Sequence, residues 1–121
     1  MAVPTESQEQ QALFEWVRWQ EKAYPELGLL VHIPNGGYRN KREAMRFKAE
    51  GVRRGFPDLL LPVARGGYHS LAIEIKRQKG GTVTPEQKEW LAALNQQGYL
   101  AIICNGWHEA SEAIMQYLRR E

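Results

Sequence analysis

The sequence predicts an α/β fold, a mixed β-sheet flanked by helices in the order αβαββαβα. Three observations predict it. Apolar runs of strand length (LLVHI, LLLPV, SLAIEIK, YLAIIC) alternate with longer segments whose apolar residues recur at helical spacing. Gly, Pro and Asn, which favour turns, stand between them. The 121 residues leave room for one modest core, so one domain over 1–121 is expected, with no repeat, low-complexity tract or linker.

The first helix is expected over Glu6–Lys22. Pro4 and Thr5 mark its start, and Leu13, Trp16, Val17 and Gln20 fall near one stripe. Pro25 and Gly28 close it, and Leu29–Ile33 reads as a strand. Pro34-Asn35-Gly36-Gly37 is a turn, since Pro cannot continue a ladder and Asn-Gly tolerates left-handed backbone. Asn40–Glu50 is a charged helix ending at Gly51, with a thin apolar face of Ala44, Met45, Phe47 and Ala49. Strands are expected at Leu59–Val63 and, after a turn at Arg65-Gly66-Gly67, at Ser70–Lys76. Thr84 then suits an N-cap, Pro85 the first helical position and Gln87 the return arm of a capping box, opening a helix that runs to Gln97. Tyr99–Cys104 is the fourth strand, and a helix over about Trp107–Arg119 turns Ala110, Ala113, Ile114, Tyr117 and Leu118 inward. The four tryptophans and five tyrosines are expected to supply much of the core, or in part to face a partner subunit.

Composition excludes several function classes. A single cysteine, Cys104, rules out an internal disulfide framework and a zinc cluster, and its AIIC setting reads as a buried strand thiol. No run is long enough to span a bilayer, and MAVPTESQEQQ lacks the basic and apolar parts of a signal peptide, so no membrane association and a cytoplasmic setting are expected. No zinc finger, P-loop, dinucleotide fingerprint or Ser-His-Asp pattern is present. The net charge of +2 says little, but its distribution says more. From Arg39 to Arg54 seven bases (Arg39, Lys41, Arg42, Arg46, Lys48, Arg53, Arg54) face two acids, and Lys76, Arg77 and Lys79 form a second cluster. From Thr84 onward five acids face three bases. That asymmetry suits a phosphate-facing surface, although solvated charge without a partner would look the same.

Two carboxylates stand where a charge is costly. Asp58 follows Pro57 at the entrance of an apolar strand, and Glu74 interrupts LAIEI. Period two puts Ala72, Glu74 and Lys76 on one strand face, with Leu71, Ile73 and Ile75 on the other. If this strand pairs with the one after Asp58, the carboxylates converge at a sheet edge. Such a pair holds a hard divalent cation, which polarises a phosphodiester and acidifies a water. A neighbouring ammonium, Lys76, orients that water or stabilises transition-state charge. Glu74-x-Lys76 alone fits a solvated surface pair equally well. The combination is more specific: Gly55-Phe56-Pro57-Asp58, then Glu74-Ile75-Lys76 sixteen positions after the aspartate, then Thr84-Pro85-Glu86-Gln87.

This pattern resembles the VRR-NUC family of the PD-(D/E)xK nuclease superfamily. The likeness rests on GVRRGFPDLLLP and AIEIKRQKGGTVTPEQKEWLAALNQQGY, with SQEQQALFEW and HIPNGG upstream. It implies a restriction-endonuclease-like sheet and a DNA endonuclease using Mg2+, with Mn2+ as substitute. It further implies Asp58 and Glu74 as metal ligands, the Ile75 carbonyl as a further ligand, and Lys76 as the catalytic lysine. An acid from the first helix is also implied. Glu9 continues the buried stripe and is the choice, with Glu6 in reserve, whereas Glu15 lies about 200° round from Leu13. Gln87 would hold a water or another site group, although capping alone would explain it.

Asn35, Arg39, Lys41, Arg42, Arg46, Arg53, Arg54, Arg77 and Lys79 are the expected DNA contacts. Asn35 fits a turn residue as well, Gly55 either a close backbone approach or a tight turn, and His32 either the catalytic side or plain hydrogen bonding. Stand-alone relatives resemble Holliday junction resolvases, so branched or four-way DNA, a homodimer, and a bacterial or phage-infected cytoplasm are expected. A flap, nicking or restriction-like nuclease and a non-catalytic nucleic-acid-binding module are the alternatives.

Overall fold

The structure, a computed structural model, describes residues 2–34 and 40–121. Helix α1 is Glu6–Gln20, β1 Val31–His32, α2 Lys41–Ala49 and β2 Leu59–Leu61. Strand β3 is Leu71–Lys76, α3 Pro85–Gln96, β4 Leu100–Asn105 and α4 Trp107–Leu118. The expected order holds, with one added element, a 3-10 turn at Pro25–Leu29. That turn takes residues the sequence offers to β1, because Pro25 starts a tight helical turn that buries Leu27. The strand shrinks to the two residues that find partners, Val31 opposite Leu60 and His32 opposite Leu59. Strand β2 ends at Leu61 because Pro62 has no N–H for the ladder.

The strands described form one mixed sheet in the order β1-β2-β3-β4. Both β1–β2 and β2–β3 are antiparallel, and β3–β4 is parallel, with α3 as the crossover. Strand β3 is therefore central, and all six of its residues are buried. Its alternation sorts two layers. Leu71, Ile73 and Ile75 face Leu13 and Val17 of α1 and Ala110, Ile114, Tyr117 and Leu118 of α4. Ala72 faces the α3 side, in a smaller cluster with Leu94 and Ala101 flanked by Phe56, Leu60, Trp90 and Leu91. Each fully buried aliphatic side chain contributes roughly 1.5–3 kcal/mol, so the layer under α1 and α4 carries most of the apolar stabilisation.

The core is aliphatic rather than aromatic. Among the described tryptophans and tyrosines only Tyr117 is fully enclosed, its hydroxyl donating to the Val63 carbonyl at 2.6 Å. Trp19 is 80% exposed. Trp16, Tyr24, Tyr68 and Trp107 pack half-buried against the core rather than inside it. Helix α2 buries no residue and starts at Asn40, whose side chain accepts from the Glu43 N–H at 2.8 Å. The expected turn at Pro34–Gly37 falls largely outside the described residues. Among those described, no helix is long and apolar enough to cross a membrane.

Candidate active site

Strand pairing brings the two carboxylates together. Leu59 pairs with Ile73, so the same antiparallel register, continued one step, sets Asp58 opposite Glu74. Strand β2 has ended there, leaving the Ile75 N–H free of the ladder, and the Asp58 carboxylate accepts it at 2.9 Å. The Asp58 carbonyl accepts from the Ile33 N–H at 2.7 Å and lies 3.0 Å from His32 Nδ1. His32 is thus hydrogen-bonded, and it lines one cleft with Asp58 and Ile75.

Glu74 and Lys76 project toward α3, as their alternation with Ile73 and Ile75 requires. Both are buried, Glu74 at 2% exposure and Lys76 at 5%. The Lys76 ammonium lies 3.5 Å from the Glu74 carboxylate. Gln87 ties them: Lys76 Nζ donates to its Oε1 at 3.1 Å, and its Nε2 donates to Glu74 Oε2 at 3.0 Å. The same Oε1 accepts from the Thr84 N–H at 2.9 Å, closing the capping box. Capping and site contact are therefore one arrangement. The helix start fixes the Gln87 side chain, which then holds the lysine and glutamate in register.

Burial is the main reason the Glu74 carboxyl is pushed up from 4.5 to about 8, with the adjacent Asp58 carboxylate adding to it and the Lys76 ammonium opposing it. A buried acid beside a second carboxylate is electrostatically frustrated, and a divalent cation relieves that frustration. Among the described residues no three His, Cys, Asp or Glu side chains form a ready-made metal cage. Asp58, Glu74 and the Ile75 carbonyl are oxygen donors at this point of the sheet, the donor type that a hard divalent cation takes, and such a cation needs only one or two protein carboxylates.

The two first-helix acids that the sequence offers have different surroundings. Glu9 does continue the buried stripe, at 1% exposure, but that burial commits it elsewhere. Its carboxylate accepts from the Trp107 N–H at 3.1 Å and from Gln78 Nε2 at 2.9 Å, capping the first turn of α4. Gly106, with φ of +90°, provides that helix with no side-chain cap of its own, so Glu9 supplies one from across the fold. Glu6 lies one turn earlier, with a carboxylate oxygen 3.9 Å from Lys76 Nζ. It lines a cleft of about 180 Å³ with Ser7, Gln10, His32, Asp58 and Ile75. Ser7 and Gln10 were not singled out in the sequence, although their spacing from Glu6 along one helix carries the signal.

Gly55 has φ of +92°, and a Cβ there would come within 2.7–2.9 Å of the backbone of Glu86 and Gln87. Its close approach is thus to the first turn of α3 rather than to the cleft. Lys41, Arg42 and Arg46 are exposed on α2, Arg53 and Arg54 on the segment before Pro57, and Lys79 on the loop after β3. Arg77 differs: its guanidinium donates to the Val3 carbonyl at 3.1 Å, and its Nε is buried without a hydrogen-bond partner, so it anchors the N-terminal segment. Asn35 and Arg39 lie outside the described residues.

Residues 4–108 match the family model of the VRR-NUC domain. No curated protein matches the chain. A solved structure described as a "VRR_NUC domain protein" superposes with a TM-score of 0.84 at 34% identity, covering 98% of this chain and 91% of that one. The mixed sheet, with its acids and lysine at the β2–β3 edge, is the PD-(D/E)xK-like nuclease fold that this match carries.

Proposed function

This chain belongs to the VRR-NUC domain family, and we propose that it is a divalent-metal-dependent DNA endonuclease whose centre is Asp58, Glu74 and Lys76. The observation that carries this reading is the convergence of the Asp58 carboxylate on the end of β3 where Gln87 bridges Glu74 to Lys76. A magnesium ion held by Asp58, Glu74 and the Ile75 carbonyl would supply Lewis-acid polarisation of a phosphate and an acidified water, with manganese as substitute. Lys76 holds its ammonium beside the reacting phosphate, where it stabilises charge developing in the transition state. Gln87 positions that ammonium and the Glu74 carboxylate. Glu6 replaces Glu9 as the first-helix acid, because it faces the cleft and Glu9 is occupied by α4. Lys41, Arg42, Arg46, Arg53, Arg54 and Lys79 supply sequence-independent phosphate contacts.

The substrate is branched DNA, a four-way junction foremost, cut by a homodimer, since paired incisions need two centres and each chain offers one. The test uses a labelled junction with Mg2+, Mn2+ or chelator, beside Asp58→Asn, Glu74→Gln and Lys76→Ala. The three variants are expected to bind the junction and leave it uncut. Cleavage that persists in chelator or in all three variants would overturn the mechanism. A strictly monomeric active species would overturn the dimer.

A further inference from the structure

A second concavity lies on the other side of the α3 start from which Gln87 reaches the candidate centre. It occupies about 720 Å³ between the end of α2, the segment leading to Phe56, and the first turns of α3. A smaller hollow of about 330 Å³ adjoins it and shares Gly51, Val52, Arg53 and Trp90. The larger volume lies within the roughly 300–1,000 Å³ usual for a small organic ligand. One wall is the Trp90 indole, which is held in place. The Trp90 indole N–H donates to the Arg54 carbonyl at 2.9 Å, so its polar tip is satisfied by the protein. Phe56 meets the Trp90 ring edge-on at 5.0 Å. Around this wall stand Lys48, Arg53 and Arg54 against one acid, Glu86.

The trough borders the first turn of α3, the turn from which Gln87 reaches Glu74 and Lys76. Glu86 precedes Gln87 directly, and Gly55 packs against the backbone of both. An aromatic surface ringed by cations is what a base and its flanking phosphates require. Bases inside a duplex are stacked on one another and do not reach such a wall, whereas a base in an unpaired strand does.

We propose that this trough seats one unstacked base of a single-stranded DNA segment next to the scissile phosphate. Trp90 is the stacking surface, and Lys48, Arg53 and Arg54 hold the phosphates on either side. Glu86 repels phosphate and so turns the backbone to the basic rim. The proposal rests on the nuclease reading and deepens it: the feature selected is a base without its partner at the branch, supplied by the free arm of a fork or by a pair opened at the centre of a four-way junction.

The test measures binding in chelator by fluorescence anisotropy, with a labelled fork carrying one single-stranded arm and a fully paired duplex of equal length. Unpaired positions nearest the branch are replaced one at a time by abasic sites. Stacking on an aromatic side chain is worth about 5- to 150-fold in affinity, so one abasic position should weaken wild-type binding at least about fivefold. Trp90→Leu should lose the same factor and become insensitive to that abasic site, and Trp90→Phe should recover part of it. Uniform binding across the abasic series overturns the proposal using wild-type protein alone, whatever the variants' folding. A Trp90→Leu protein that melts like wild type and keeps its preference for the fork overturns it as well. Metal-dependent cleavage without abasic sensitivity overturns the trough and leaves the nuclease reading standing, whereas no binding to any DNA overturns both.

Discussion

Replacing Glu9 and Glu6 separately should divide stability from catalysis. Glu9 is 1% exposed and accepts two hydrogen bonds, from the Trp107 N–H and the Gln78 amide. A hydrogen bond to a charged group contributes about 1.5–3 kcal/mol, and removing the acceptor leaves its buried donors unsatisfied. Glu9→Ala should therefore lower the unfolding free energy by about 3–5 kcal/mol, because two such bonds and the α4 cap go together. Glu6 has a half-exposed side chain and lies 3.9 Å from Lys76, so Glu6→Ala should change stability by less than about 0.5 kcal/mol. Its effect should appear as slower cleavage under saturating metal. Urea unfolding followed by far-ultraviolet circular dichroism measures the first quantity, and initial rates on a labelled branched substrate measure the second. A Glu9→Ala protein that unfolds at the wild-type midpoint yet has lost cleavage would refute the assignment and return Glu9 to the metal site.

Gly55→Ala forces a Cβ against the Glu86–Gln87 backbone at positive φ, so it should cost about 1–3 kcal/mol and slow cleavage by displacing Gln87; a variant with wild-type melting and rate would show that α3 does not depend on this contact. The folded Glu74 pKa of about 8 exceeds its ordinary 4.5, so between those values the unfolded chain is ionised there and the folded one is not. Metal-free stability should thus fall as pH rises through that window, by up to about 1.4 kcal/mol per pH unit, a slope that added Mg2+ flattens and Glu74→Gln removes. Urea midpoints measured across the window check this, and a metal-free slope that Glu74→Gln leaves unchanged would contradict it. Burial pushes the Cys104 thiol up to about 12, so iodoacetamide near neutral pH should leave the native protein unmodified and label it at once in denaturant, as mass spectrometry would read.

Much of this chain was legible because its signals are local. The Thr84–Gln87 capping box, the alternation of Leu71–Lys76 and the PD and ExK spacings depend on neighbours within one helical turn or one strand, and they appear in the structure as the residues imply. Where local signals compete, tertiary packing decides. Leu29 and Leu30 are apolar enough for a strand, but Pro25 and the burial of Leu27 draw Leu29 into a 3-10 turn. The tryptophans and tyrosines supply the margin of the core: Trp16, Tyr24, Tyr68 and Trp107 pack half-buried against it, Tyr117 is enclosed, and leucine and isoleucine make up most of the interior. Helical periodicity turned Glu9 inward correctly and said nothing about what awaits it there.

By itself, then, the sequence determined the αβαββαβα order, the two faces of β3, and the set of chemical groups available at its end, since these follow from periodicity and backbone stereochemistry. Only the tertiary structure decided how those groups are shared out. Glu9 caps α4, ninety-eight residues away, and Glu6 faces Lys76 instead. Arg77 anchors the N-terminal segment rather than standing free. Gly55 meets the start of α3, and Trp90, with Phe56 against its ring, lines a basic trough. The physical reason is common to all of them: a buried polar group must find a partner wherever the chain's packing brings one, and sequence distance does not reveal which partner arrives.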